Sequence, residues 1–165
     1  KAGDQLFLLR VDIGKIVEVI DNIERKDKDN YGMFNYYYAT GRTFVGNNDI
    51  NFQFTIDDNP PIEREGAAFI LLNLREKTND NMVKNIQSDA FDFFLMKSNG
   101  WDAIKGVAAF IDVVNTDDVF EVLSAKRLRI ESSEPLTVLA DGEECGETPI
   151  EISLLPKAIQ LVVPN

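Results

Sequence analysis

Three groups of carboxylates are the residues of this chain best suited to chemistry: Asp57-Asp58, Asp117-Asp118 and Asp141-Gly142-Glu143-Glu144. A carboxylate can take a proton from a hydroxyl or hold a cation such as magnesium. Adjacent aspartates ordinarily form exposed turns, and both Asp-Asp pairs read that way. The Asp141–Glu144 run differs in its surroundings. Val138-Leu139-Ala140 leads into it as a strand, and Thr148-Pro149, Ile150 and Ile152 lead out. On the residues alone it is a hairpin with an acidic tip. None of these spacings specifies the two fixed carboxylates of a hydrolase.

Composition removes other chemistries. The 165 residues include no histidine and one cysteine, Cys145. Histidine bases, Ser-His triads and His- or Cys-rich metal sites are excluded. A lone cysteine allows no internal disulfide and fits a reducing compartment. Seventeen basic against 28 acidic side chains give a net charge of −11. That charge repels a phosphate backbone, so nucleic acid is not an expected partner. It also repels an anionic membrane, so lipid contact needs a local patch or another domain. No apolar run reaches membrane-spanning length, and no secretory signal is present. The expected location is the cytoplasm, with peripheral contact at the inner face of the membrane allowed. The opening Lys1, in place of Met, reads as a fragment.

The elements that must position the carboxylates are mostly strands. A hydrophobic fraction of 44% supports one folded domain. Gln5–Ile13 reads as a buried strand ended by Gly14. Ile16, Val17, Val19, Ile20 and Ile23 have helical spacing. Met33–Val45 is a second predicted helix, and its tyrosines read as core packing. Phe52, Phe54 and Ile56 alternate with polar residues, the period of a half-buried strand. Asp57–Pro60 is a turn, Ile62–Glu65 a return strand, and Ala67–Leu74 a fully buried strand. Arg75–Ser88 reads as a long loop. Ala90–Met96 follows as a strand with Phe91, Phe93 and Leu95 on one face. Asn99–Val113 is predicted helical, and Val119–Leu123 and Leu128–Ile130 are short strands. The tail supplies Leu136–Ala140, Pro149–Leu154 and Ala158–Val163, broken at Asp141-Gly142 and Leu155-Pro156. The expected fold is mainly β: a β-sandwich or distorted barrel of short antiparallel strands with two or three decorating helices.

Val138–Pro164, reading VLADGEECGETPIEISLLPKAIQLVVP, resembles the end of the bacterial diacylglycerol kinase and related lipid kinase family. In that family a strand enters an Asp-Gly-Glu turn. A proline-containing strand, a Pro-x-Ala hairpin and a last apolar strand follow. The matching residues are Asp141-Gly142-Glu143, Pro149 and Pro156-Lys157-Ala158. Phe7–Gly14 (FLLRVDIG) is similar to the strand opening the family's second domain. Lys28–Tyr37 is similar to its lysine-glycine-tyrosine helix, through Lys28, Gly32 and Tyr36. Phe69–Asn73 (FILLN) resembles the strand ending in asparagine. The pattern breaks at Asn85–Asp92, which lacks the family's glycine-rich stretch and Asp-Asp-Gly turn. A cation site that some relatives build there, near Asp89 and Asp92, stays open.

The resemblance implies that residues 1–165 are a single domain, the C-terminal β-sandwich of a two-domain kinase. The other domain would carry a Gly-Gly-Asp-Gly-Thr nucleotide loop, which is absent here. The implied reaction is transfer of the ATP γ-phosphate to a lipid hydroxyl with magnesium. ATP and Mg²⁺ would belong to the intact protein, with none bound to this fragment. Glu143 would be the catalytic residue, orienting or deprotonating the hydroxyl or helping to place magnesium. Asp141 and Gly142 would shape the turn, Asp141 by bonding the local backbone and Gly142 by adopting positive φ. Glu144 is the rival if the turn is shifted by one. The implied partners are the chain's own N-terminal nucleotide-binding domain and a lipid such as diacylglycerol. The competing reading is a non-catalytic β-sandwich module that binds lipid or a protein.

Overall fold

The computed structural model describes residues 1–18, 49–73, 90–96, 120–156 and 158. Among them run β1 (Arg10–Gly14), β2 (Ile50–Ile56), β3 (Ile62–Gly66), β4 (Ala68–Leu72) and β5 (Phe91–Met96). Then come β6 (Phe120–Ala125), β7 (Arg127–Ser132), β8 (Thr137–Ala140), β9 (Glu143–Glu147) and β10 (Ile150–Ser153). One sheet has the order β6-β5-β4-β1-β8-β9, the other β10-β7-β2-β3. The pairings between these strands are all antiparallel. Among the described residues neither sheet closes on itself, so the fold is a β-sandwich and not a closed barrel.

Side-chain periodicity explains the two layers. β2 alternates Phe52 and Phe54, pointing inward, with Asn51, Gln53 and Thr55 on the other face. Phe54 lies 5.9 Å from Phe69 and 5.7 Å from Phe93, ring centre to ring centre. These rings join the sheets through a core that also holds Val11, Ile13, Leu71, Leu95, Leu128, Ile130 and Ile152. The larger sheet is apolar on its other face as well. Ile70, Phe94, Met96, Phe120 and Leu139 form a second cluster there with Ile16 and Val17. That is why β4 reads as one unbroken apolar run: both of its faces are buried. At the side of the sandwich, Arg64 Nε on β3 donates to Glu121 Oε1 on β6 at 3.0 Å and ties the layers together.

Several expectations are corrected. The strand expected over Gln5–Ile13 begins only at Arg10. Residues 1–5 instead lie along β10, where Gly3 N–H donates to the Glu151 carbonyl at 2.9 Å and Ala2 bridges Ile152. Residues 6–9 then cross from the smaller sheet to the larger. We call this crossing the strap. The tail's second strand, β10, pairs with β7 in the opposite sheet rather than with β8. β9 was not expected, because EECGE lacks the apolar alternation of a strand. It is an edge strand beside β8, and Cys145 is the extra residue of a register shift. Lys15–Glu18 are helical, and the rest of that helix lies outside the described residues. So do Met33–Val45, Arg75–Ser88, Asn99–Val113, Asp117-Asp118, Asp89 and, Ala158 apart, the last strand.

Candidate active site

β8 and β9 are joined by Asp141 and Gly142 with φ of 51° and 88°. Positive φ at both central residues is the two-residue hairpin turn that follows the twist of its strands. Gly142 has no atom within 4 Å of where a Cβ would stand, so the turn needs glycine for its backbone angle alone. The base of the hairpin is closed by Thr148, a buried residue. Its N–H donates to the Leu136 carbonyl, its Oγ1 accepts the Leu136 N–H at 3.0 Å, and it hydrogen-bonds Ser132 Oγ.

Asp141 does more than turn the chain. Its carboxylate accepts the N–H groups of Leu8, Leu9 and Arg10 at 2.6, 2.8 and 2.9 Å. Its own N–H donates to the Arg10 carbonyl at 3.0 Å. Partial burial pushes the Asp141 carboxyl upward in pKa. The N–H donors of Leu8, Arg10 and Leu9, with the Arg10 charge, outweigh this and hold it below the ordinary carboxylate value. The sequence reading expected Asp141 to bond its local backbone, whereas its partners are more than a hundred residues away. Asn73, just after β4, completes the arrangement. Its N–H donates to the Leu9 carbonyl and its Nδ2 to the Leu8 carbonyl, both at 2.9 Å.

The turn fixes where the two glutamates point. Glu143 stands opposite Ala140, and Glu144 opposite Leu139. Directly opposed residues share a face. Ala140 belongs to the core between the sheets and Leu139 to the cluster behind the larger sheet. Glu143 and Glu144 therefore lie on opposite faces, and both are exposed. Only one of them can serve a given ligand.

Arg10 and Asp12 were missed in the sequence. Two apart on β1, they share the face that carries Leu139 and Glu144. Arg10 Nε donates to Asp12 Oδ2 at 2.7 Å, and Nη2 contacts Oδ1. Asp12 is 1% exposed. Its burial raises its pKa more than the Arg10 hydrogen bond and charge lower it, and the nearby Asp141 charge adds to the rise. The available signal was two charges at strand spacing inside an otherwise apolar run.

Other candidates resolve into structure. Asp57 has φ 53°, and its carboxylate accepts the Lys126 and Arg127 N–H groups, both at 2.9 Å. These bonds hold its pKa low. It repeats the Asp141 device at the end of β2. Asp58 pairs with Arg127. Asp92 accepts a hydrogen bond from Ser124 Oγ at 2.6 Å. The Cys145 thiol is pushed up in pKa by burial and by Glu144, which disfavours a thiolate. An open groove of about 600 Å³ lies between Gly3–Gln5 and β9, lined also by Cys145, Gly146 and Glu147. Among the described residues no cluster of three or more His, Cys, Asp or Glu could hold a metal ion. No helix among them is long and apolar enough to cross a membrane.

Comparison with known proteins bears on the fold. The family described as YegS C-terminal NAD kinase beta sandwich-like domain matches residues 112–163. A Staphylococcus epidermidis protein named "Putative lipid kinase" is 25% identical over 169 residues, covering 98% of this chain and 54% of its own. A solved structure titled as a "putative diacylglycerol kinase" from Bacillus anthracis superposes with a TM-score of 0.62 at 27% identity, covering 94% of this chain and 53% of that one. The chain is thus similar in sequence to proteins named lipid kinases and in fold to solved structures titled diacylglycerol kinases. A Staphylococcus aureus protein named "Putative lipid kinase SAB0675c", also 25% identical, aligns with all of this chain and 56% of itself. The chain thus spans about half the length of the curated relatives it matches.

Proposed function

We propose that the chain is the C-terminal domain of an ATP-dependent lipid kinase, joined in the whole protein to a nucleotide-binding domain. The observation that carries this reading is the Asp141-Gly142-Glu143 tip. The Asp141 carboxylate fastens the tip to the strap backbone, and Glu143 is left exposed beside it. A rigid hairpin with a free carboxylate is what positioning a hydroxyl requires. Glu143 accepts the proton of the lipid hydroxyl as that oxygen bonds to the γ-phosphorus and ADP departs. ATP and magnesium would be held by the other domain. The substrate would be diacylglycerol or a similar lipid alcohol, met by a cytoplasmic enzyme at the inner face of the membrane.

The test uses the whole polypeptide, diacylglycerol in mixed micelles and ATP labelled in its γ-phosphate. Glu143→Gln should lower turnover by about 10²-fold or more, the scale of a lost general base, with an unchanged unfolding midpoint. A variant that turns over normally removes Glu143 from the mechanism. Glu144→Gln should have little effect, because Glu144 lies on the other face. A whole polypeptide that transfers no phosphate but binds vesicles would favour the non-catalytic module.

A further inference from the structure

The ladder between β1 and β4 ends at the pair Arg10–Leu72, and that between β1 and β8 at Val11–Ala140. One residue further along stand Asn73 and Asp141, on opposite sides of the chain that leads into β1. In a regular antiparallel ladder a residue exchanges its N–H and its carbonyl with the same neighbouring strand. Leu8 and Leu9 depart from that rule. Their carbonyls accept from Asn73, Leu8 from Nδ2 and Leu9 from the backbone N–H. Their N–H groups turn the other way, to the Asp141 carboxylate. The Leu8 carbonyl and the Leu9 N–H belong to one peptide group, and the Leu9 carbonyl and the Arg10 N–H to the next. The carbonyl and N–H of a trans peptide group are coplanar and point in opposite directions. Each group is therefore a rigid bar, with Asn73 at its carbonyl end and Asp141 Oδ1 at its N–H end. A donor on the carbonyl also polarises the group and strengthens the bond at its N–H.

We propose that Asn73 is a positioning residue for Glu143, acting through these two peptide groups and the Asp141 carboxylate. The inference rests on the lipid kinase reading above. Asp141 fixes the turn only as firmly as its donors are themselves fixed. Leu8 and Leu9 have exposed side chains, so packing holds this part of the chain weakly. Asn73 supplies the hold instead. It follows directly on β4, whose residues Ala68–Leu71 are all buried, and so stands on a close-packed base. From there the connection runs across β1 to Asp141 and, two residues on, to Glu143 at the start of β9. A displacement of about 1 Å at a reacting group can cost about 10²-fold in rate, so a remote amide that steadies the tip acts on turnover. The amide donor is what the site requires. An aspartate of the same shape would set an acceptor oxygen against the Leu8 carbonyl.

The test is steady-state phosphate transfer by the whole polypeptide, with diacylglycerol in mixed micelles and ATP labelled in its γ-phosphate. Asn73→Ala removes the Nδ2 donor and keeps the backbone N–H. Its kcat should fall about tenfold with KM unchanged for both substrates, because the tip is loosened and no substrate contact is lost. Asn73→Asp should lose at least as much, and it replaces the alanine variant should that one fail to fold. In a Glu143→Gln background the same substitutions should cost less than about twofold, since the group through which Asn73 acts is already gone. An equal fall in both backgrounds would overturn the proposal and leave Asn73 a general role in the fold. A loss confined to KM would overturn it too, because Asn73 would then touch a substrate itself. A wild-type polypeptide that transfers no phosphate sinks the kinase reading and this inference with it. Transfer that both Asn73 variants leave intact sinks the inference alone.

Discussion

Asp141 combines two properties that a turn residue seldom has together. It adopts a positive φ, and its carboxylate satisfies backbone donors on a segment remote in sequence. Replacing it by alanine would leave those N–H groups to water and cost about 1–3 kcal/mol. Asp141→Asn keeps one acceptor oxygen and tolerates the same φ, so its loss should be smaller. Denaturant titration of the two variants checks the order. The pH dependence follows from the lowered pKa. Stability from the ionised Asp141 is fully present above its unfolded value of 3.8 and fades as pH falls through the lower folded value. The gap between wild type and Asp141→Asn should therefore be widest near neutrality and shrink in acid. A gap independent of pH would show that the charge is irrelevant. Asp12 acts in the opposite sense. Its raised pKa makes its charge a cost at neutrality that protonation relieves.

At the scale of elements, the close approach of the end of β3 to β5 is the tightest constraint among the described glycines. A Cβ on Gly66 would come within 2.7 Å of both Leu95 Cδ1 and the Met96 carbonyl oxygen. Gly66→Ala should destabilise by about 1–3 kcal/mol, the cost of overpacking, with a lowered melting temperature as the readout. An unchanged melting temperature would mean that β5 yields easily. The strands that the sequence made legible are those with a simple pattern. Phe52 and Phe54 alternate with polar residues, and the Ala68–Leu72 run is apolar throughout, so β2 and β4 announce themselves. β9 stays hidden because an edge strand with solvent on it needs no apolar side, and acidic residues there discourage pairing with another chain. The strap is hidden for the converse reason. Leu6, Leu8 and Leu9 look like core in sequence, and only the distant Asp141 and Asn73 reveal that the backbone turns them outward.

The whole molecule is asymmetric between its two outer faces. The smaller sheet turns Asn51, Gln53, Arg129, Glu131 and Glu151 to solvent, and the larger sheet is apolar behind as well as in front. A sandwich class was readable from many short strands in series. The strand order was not, since β1 inserts between β4 and β8 and since β8 and β10 part into different sheets. Pairings that distant are set by which faces must be buried together, and local sequence does not record them. Of the candidate site, the tip was legible as an acidic hairpin, and its anchorage was not. The net charge of −11 acts at this scale too. Self-repulsion is screened as salt rises, with a Debye length of about 30 Å at 0.01 M and about 10 Å at 0.1 M. The denaturation midpoint should rise over that interval. A fall would mean that local pairs such as Arg64–Glu121 outweigh the overall repulsion.

The path of the strap at residues 8 and 9 is dictated by a carboxylate and an amide just past the ends of β8 and β4, and the exposed side chains at 6, 8 and 9 take no part in those bonds. Shape and surface character are thereby uncoupled along this segment. Changes at those three positions can retune what the domain adheres to while the backbone keeps its course, much as a tool holder accepts different bits. A domain built this way can diverge in its associations faster than in its fold.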